Sequence, residues 1–226
     1  MHQSPPPRDD ALVTYYTARA FEYEEVYAKP ERQEDLRRLH EIVSSYLAGR
    51  RVLDVACGTG YWARTIAMKA SAVTGCDLSE RVLALARARQ PVTNPVDFVV
   101  GDAFALQLVA GMFDAAFVGF WWSHLARTDL PRFLDGLHRR LLGGSRVLVL
   151  DNRYVHGSNW PVTRTDTDGN TYQRRQLRDG TEHEVLKNFP SPDEVRAAVA
   201  SAGGRRLTVC ELPHYWYATY ELGHDA

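Results

Sequence analysis

The sequence holds 226 residues, 45% hydrophobic and 24% charged, with 27 basic against 28 acidic side chains and a formal net charge of −1. That length suits one complete α/β domain with elaborations and falls short of two such domains plus a separate substrate domain. A near-zero charge gives no long-range pull toward nucleic acid or an anionic membrane, no apolar run reaches the length of a membrane span, and the N-terminus lacks a signal core, so a cytoplasmic protein is expected.

Residues 1–8 contain Ser-Pro-Pro-Pro, offer nothing to bury and predict a flexible tail. A helical cap is expected over 9–49, opened by Asp9 or Asp10 as N-cap. Tyr15, Tyr16, Phe21, Tyr23 and Tyr27 crowd its first part, and Tyr16, Ala20, Tyr23 and Tyr27 share one helical face, as in an amphipathic packing helix. A second helix over 31–48 should stop at Gly49.

The main domain is expected over 50–226, beginning with Arg-Val-Leu-Asp-Val-Ala-Cys-Gly-Thr-Gly at 51–60. Val52, Leu53 and Val55 suit a strand buried on both faces, while Gly58 and Gly60 allow a sharp turn and a close-lying ligand, with a helix over 61–69 behind them. Gly58-x-Gly60-x-x-Ala63 also fits the dinucleotide fingerprint, with Asp77 near the position of a ribose-binding acid, so the glycines alone do not choose the cofactor.

A second strand over 72–76 ends at Asp77, whose two oxygens suit a ribose cis-diol, and Ser79 caps a helix that stops before Pro91. The third strand, 96–100, runs into Gly101-Asp102-Ala103. The fourth, 113–119, opens into Phe120-Trp121-Trp122-Ser123-His124, where at least one tryptophan must be core because neighbours point apart. Leu130, Phe133, Leu134, Leu137 and Leu141 form the apolar stripe of a helix that Gly143-Gly144 should stop, before a fifth strand over 146–150. The segment 151–189 reads as a hairpin insertion turning at Asp179-Gly180. There Arg174, Arg175 and Arg178 interleave with Asp179, Glu182 and Glu184, which favours a solvated face over a nucleic-acid surface. Ser191-Pro192-Asp193-Glu194 is a capping box for a helix to Gly203, and strands over 207–211 and 215–220 close the chain. Cys57, Cys76 and Cys210 have no metal-ligand spacing and read as buried thiols in a reducing compartment.

With Asp54 inside the first strand and acids at 77 and 102 after the next two, Leu-Asp-Val-Ala-Cys-Gly-Thr-Gly resembles the first motif of the class I S-adenosylmethionine (SAM) dependent methyltransferases of small-molecule type. The alternation of strands and helices then implies a Rossmann-like sheet of seven mostly parallel strands with helices on both faces, an N-terminal helical cap and the inserted hairpin. The resemblance implies SAM as cofactor, S-adenosylhomocysteine (SAH) as product and no metal. It assigns the cofactor to Ala56, Gly58, Gly60, Asp77 (ribose), Leu78, Asp102 and Ala103 (adenine) and Phe120, and makes the cap a lid from which Tyr16 and Arg19 face the site. Trp121, Trp122 and His156 are substrate candidates, and His124 is the candidate base for a hydroxyl acceptor. The expected partner is a small molecule, methylated on oxygen or nitrogen, with neither nucleic acid nor membrane involved; a homodimer is allowed. An NAD-dependent oxidoreductase and a non-catalytic SAM-binding protein stay open beside this reading.

Overall fold

A computed structural model of the chain describes residues 14–16, 19, 23–89 and 94–223; the expected tail, the Asp9 or Asp10 cap and Phe21 lie outside the described residues. Short 3-10 turns at Tyr23–Tyr27 and Pro30–Arg32 lead into helix α1, Gln33–Tyr46, which buries Leu36, Leu39 and Val43 along one face and ends before Gly49 at φ 71°. The aromatic N-terminal segment therefore enters as a tight turn where a continuous helix was expected over its second half.

Alternation then builds the sheet. Strand β1 (Arg51–Val55), helix α2 (Tyr61–Ala67), β2 (Ala72–Asp77), α3 (Glu80–Ala88), β3 (Asp97–Val100), β4 (Phe113–Gly119), α4 (Leu130–His138) and β5 (Leu141–Asn152) follow in order. The chain continues through β6 (Arg164–Thr165), β7 (Thr171–Gln176), β8 (Glu182–Leu186), α5 (Pro192–Ser201), β9 (Gly204–Glu211) and β10 (Tyr215–Leu222). The seven-stranded sheet has the order β3-β2-β1-β4-β5-β10-β9, with β10 antiparallel to both of its neighbours and the pairs on the other side parallel. The direction of winding reverses between β1 and β4, where open α/β sheets place their ligands. β6, β7 and β8 form a separate antiparallel sheet.

Both faces of β1 are buried, as its apolar run predicts. Val52 joins the core under α1, α2 and α3, with Leu39, Val43, Ile66, Leu83 and Phe117. Leu53 and Val55 join the opposite core, with Phe113, Val118, Phe133, Leu137 and Val149. The capping box is present, Ser191 accepting from the Glu194 amide while the Glu194 carboxylate accepts from the Ser191 amide.

Three local expectations are corrected. Helix α4 ends at His138, and Gly143-Gly144 lie inside β5: Leu141, the last residue of the apolar stripe, pairs with Phe113 across the sheet, so β5 starts five residues early at an irregular register. The hairpin turn spans 177–181 instead of two residues, with the Leu177 amide donating to the Thr181 carbonyl and Asp179 Oδ1 accepting from the Thr181 amide and hydroxyl. Its strands are not a wholly solvated face either. Arg174 and Arg178 are exposed, but Gln173, Arg175, Val185 and Leu186 are buried, because Tyr15 of the N-terminal segment and His124 pack against them.

Candidate active site

Two of the three described non-glycine residues with positive φ flank the point where the winding reverses: Ala56 (54°), just after β1, and Phe120 (59°), just after β4. Such conformations cost of order 1–3 kcal/mol and persist where surrounding structure imposes them, often at ligand sites. Between them Gly58 (φ 56°) donates its amide to Asp77 Oδ2 at 3.0 Å, and the Ser79 amide donates to Asp77 Oδ1 at 2.9 Å. Each carboxylate oxygen thus spends one lone pair on the loop and keeps another for a ligand hydroxyl. Burial raises the Asp77 pKa, opposed by the amides of Ser79, Gly58 and Leu78. Gly60 (φ 74°) serves packing: a Cβ there would lie 2.9 Å from Phe98 and 3.2 Å from Ala86.

Asp54 is 1% exposed, and its Oδ2 has no hydrogen-bond partner among the described residues. Burial, then the charge of Asp77, pushes its pKa well above the carboxylate range. Asp102 turns its Oδ1 to the Phe104 amide at 2.8 Å, which fixes the turn that carries buried Ala103.

The N-terminal segment is tied to this loop. The Glu24 carboxylate accepts from Thr59 Oγ1 at 2.8 Å, Arg64 at 3.1 Å and Arg89 at 3.0 Å, and Tyr27 stacks on Tyr61 with centroids 3.9 Å apart.

The aromatic run after β4 divides as neighbours must. Trp122 is buried edge-on against Trp216 in the core, so its expected substrate role is corrected. Trp121 stays partly exposed beside Phe104, Tyr15 and Val185, and its indole N–H has no partner among the described residues. Arg19 donates to the Tyr15 hydroxyl at 3.1 Å. His156 lies exposed beyond β5, apart from the His124 network.

His124 is fully engaged. Its Nδ1 lies 2.7 Å from the Leu186 carbonyl and its Nε2 2.7 Å from the Tyr16 hydroxyl. A carbonyl only accepts, so Nδ1 carries the proton, and in the neutral ring Nε2 accepts from Tyr16. Burial, then the charges of Lys187 and Arg175, holds its pKa well below the usual histidine value. With Tyr16 occupying the one basic lone pair, the expected base is not free to take a proton directly from an acceptor.

Four residues to which the sequence assigns no role in the site, Arg175 among them as part of a solvated face, complete this side. Lys187, 4% exposed, donates to Ser123 Oγ at 2.5 Å and Asp151 Oδ1 at 3.0 Å. Arg175, 6% exposed, donates to Gln173 Oε1 at 2.7 and 3.1 Å and to the Tyr16 hydroxyl at 3.4 Å. Arg32, buried, donates to Ser158 and to Asn152 Oδ1 at 3.3 Å and lies over the Tyr215 ring. Tyr215, buried, keeps its hydroxyl beside the Arg32 guanidinium.

A family model described as a methyltransferase domain matches residues 52–144, from β1 into β5. The demethylmenaquinone methyltransferase of Thermus thermophilus is 30% identical over 171 residues, covering 69% of this chain and 74% of that protein. The 2-phytyl-1,4-naphtoquinone methyltransferase of Thermosynechococcus vestitus is 30% identical over 173 residues, covering 70% and 74%. Among solved structures, DhpI in complex with SAH is 28% identical with a TM-score of 0.76, covering 95% of this chain and 96% of that one. A second DhpI complex, with SAM and HEP, gives 25% identity and a TM-score of 0.78. Sequence, sheet order and loop geometry agree: the chain belongs to the class I SAM-dependent methyltransferases, enzymes that move a methyl group from SAM to an acceptor, here a small molecule.

Proposed function

We propose that the crevice between β1 and β4 holds SAM, with Asp77 on the ribose hydroxyls, Asp102 and Ala103 at the adenine, and Ala56, Gly58, Leu78 and Phe120 lining the bed, Gly60 keeping the loop packed behind it. The observation that carries this is the Asp77 carboxylate, fixed by the Gly58 and Ser79 amides with a lone pair left on each oxygen. The buried pair Asp54 and Asp77 also suits a cationic ligand, since a positive charge offsets the cost that burial imposes on both carboxylates.

SAM supplies an electrophilic methyl group on a sulfonium. The protein's part is to align an acceptor in line with that group and to keep water out. Trp121 and Tyr16 border the acceptor space, and His124 acts through Tyr16 by holding its hydroxyl in place. The reading is O- or N-methylation by a cytoplasmic enzyme with no metal and no nucleic-acid partner. A near-zero net charge supports it, as does the fact that the named relatives act on small molecules. No described helix is long and apolar enough to cross a membrane.

Titration with SAH by calorimetry, followed by transfer from methyl-labelled SAM into a fractionated metabolite extract, tests the assignment. Saturable SAH binding and label in a small-molecule fraction are expected. Binding of NAD in its place, or SAH binding with no transfer to any fraction, would overturn it.

A further inference from the structure

The acceptor side of the site carries two buried guanidinium groups with no direct carboxylate partner among the described residues. Arg175 and Arg32 are 6% and 5% exposed, and neither has a carboxylate within ion-pair distance among the described residues. Lys187 is paired with Asp151, but its ammonium uses only two of three donors, on Ser123 and Asp151. Of the other nearby acids, Asp35 accepts from the His214 amide, and exposed Glu31 meets Arg32 only through the Ser158 hydroxyl that both contact.

Hydrogen bonds join the three cations into one wall. Arg32 reaches Asn152, whose amide and side chain donate to Asp151, the partner of Lys187. From the residue before Lys187 the chain runs from the Leu186 carbonyl through His124 and Tyr16 to Arg175. An isolated buried cation is strongly disfavoured unless a counter-charge meets it. The unused indole N–H of Trp121 adds a donor without an acceptor among the described residues. Everything this wall leaves over is a positive charge or a donor.

Building on the methyl-transfer reading above, we infer that the acceptor is a small acid, held through its oxyanion by Arg175, Arg32 and Lys187 and methylated on an anionic oxygen to give an ester. The carboxylate or phosphonate oxygen supplies the electron pair for the new oxygen–carbon bond. The carbon–sulfur bond breaks as that bond forms, its pair stays on sulfur, and no proton moves. A nucleophile that arrives ionised needs no base, which agrees with a His124 whose lone pair is already taken. Esterification removes one negative charge from the acid, so the product loses its hold on the guanidinium groups and leaves.

The test uses the full chain with SAH bound and thermal unfolding as readout, with methylphosphonate and acetate as probes against acetamide and dimethyl methylphosphonate at equal ionic strength. A saturable rise of about 5 to 10 °C is expected for an acid at about one hundred times its Kd, and none for the neutral probes. Which acid shifts the transition separates phosphonate from carboxylate. The products separate them too, because a carboxyl ester releases labelled methanol in mild base and a phosphonate monoester does not. Arg175→Met should keep or raise the unfolding temperature without probe, since it removes an unpaired buried charge, while losing most of the acid-dependent rise. A fall without probe and an unchanged rise with it would mean a purely structural arginine and overturn the inference. So would equal shifts from neutral probes, or no shift beyond chloride. Failure of SAH binding with an intact acid response would instead sink the methyl-transfer reading and leave the anion site standing.

Discussion

Replacement of Asp77 by Ala probes the cofactor bed most directly. The carboxylate holds the Gly58 amide at 3.0 Å and the Ser79 amide at 2.9 Å, so its plane is fixed and its outer lone pairs face the crevice. Hydrogen bonds to charged acceptors are worth about 1.5–3 kcal/mol, which sets the expected loss of SAH affinity at about 10- to 150-fold. The fold should survive, because the strand beneath is held by pairing to both β1 and β3. Calorimetry at pH 7.5 on both proteins measures the loss, and a cycle with 2′-deoxy-SAH separates the hydroxyl contact from loop disturbance. If the two perturbations couple, the ligand lacking the hydroxyl should lose much less on going to the variant. A Kd within twofold of the parent would remove Asp77 from the cofactor site.

Four further outcomes are expected. Trp122→Ala should destabilise the fold by about 3–5 kcal/mol in urea unfolding while Trp121→Ala lowers turnover with little change in stability, because only Trp122 lies in the core; the reverse pattern would exchange their roles. Gly60→Ala combines a positive φ with a Cβ 2.9 Å from Phe98 and should cost at least about 1 kcal/mol in the same assay, so a neutral variant would refute the packing role. The lowered His124 pKa means that the unfolded chain binds a proton which the folded chain refuses below about pH 6.5. Stability therefore falls as pH drops through that window, by up to about 1.4 kcal/mol per pH unit from this group, and His124→Gln should flatten the slope below pH 6.5 and leave pH 8 nearly unchanged. A cationic ligand beside Asp54 should lower its raised pKa, so SAM binding should release protons over the pH range in which the free protein's Asp54 titrates, seen as a calorimetric enthalpy that depends on the buffer; Asp54→Asn should abolish that dependence.

The strand and glycine-loop framework on the proposed cofactor side was legible because its constraints are local. Gly58 and Gly60 follow an apolar run within five residues, and acids at 77 and 102 follow the next two strands at their carboxyl ends. The acceptor half was not, for reasons that the structure makes plain. Thr-Tyr-Gln-Arg-Arg-Gln in β7 is polar on both faces, so a period of two cannot say that Gln173 and Arg175 point inward; Tyr15 and His124, far off in sequence, decide it. The adjacent tryptophans needed Trp216 of β10 to reveal which one is core. His124 reads from the sequence as a candidate base, and only the Leu186 carbonyl, 62 residues away, shows that its Nδ1 is taken.

The Glu24 cluster has a kinetic meaning. One carboxylate on the entry segment grips buried Thr59 of the glycine loop together with Arg64 and Arg89, and the three charged side chains are still a quarter or more open to solvent. On the proposed reading, spent cofactor leaves only after this clasp parts, so departure of SAH becomes a gate on the turnover rate separate from the chemistry. A contact made of partly hydrated charges loosens as salt screens it. Raised ionic strength should therefore quicken SAH dissociation while weakening retention of SAM, giving the enzyme a turnover number that passes through a maximum with salt.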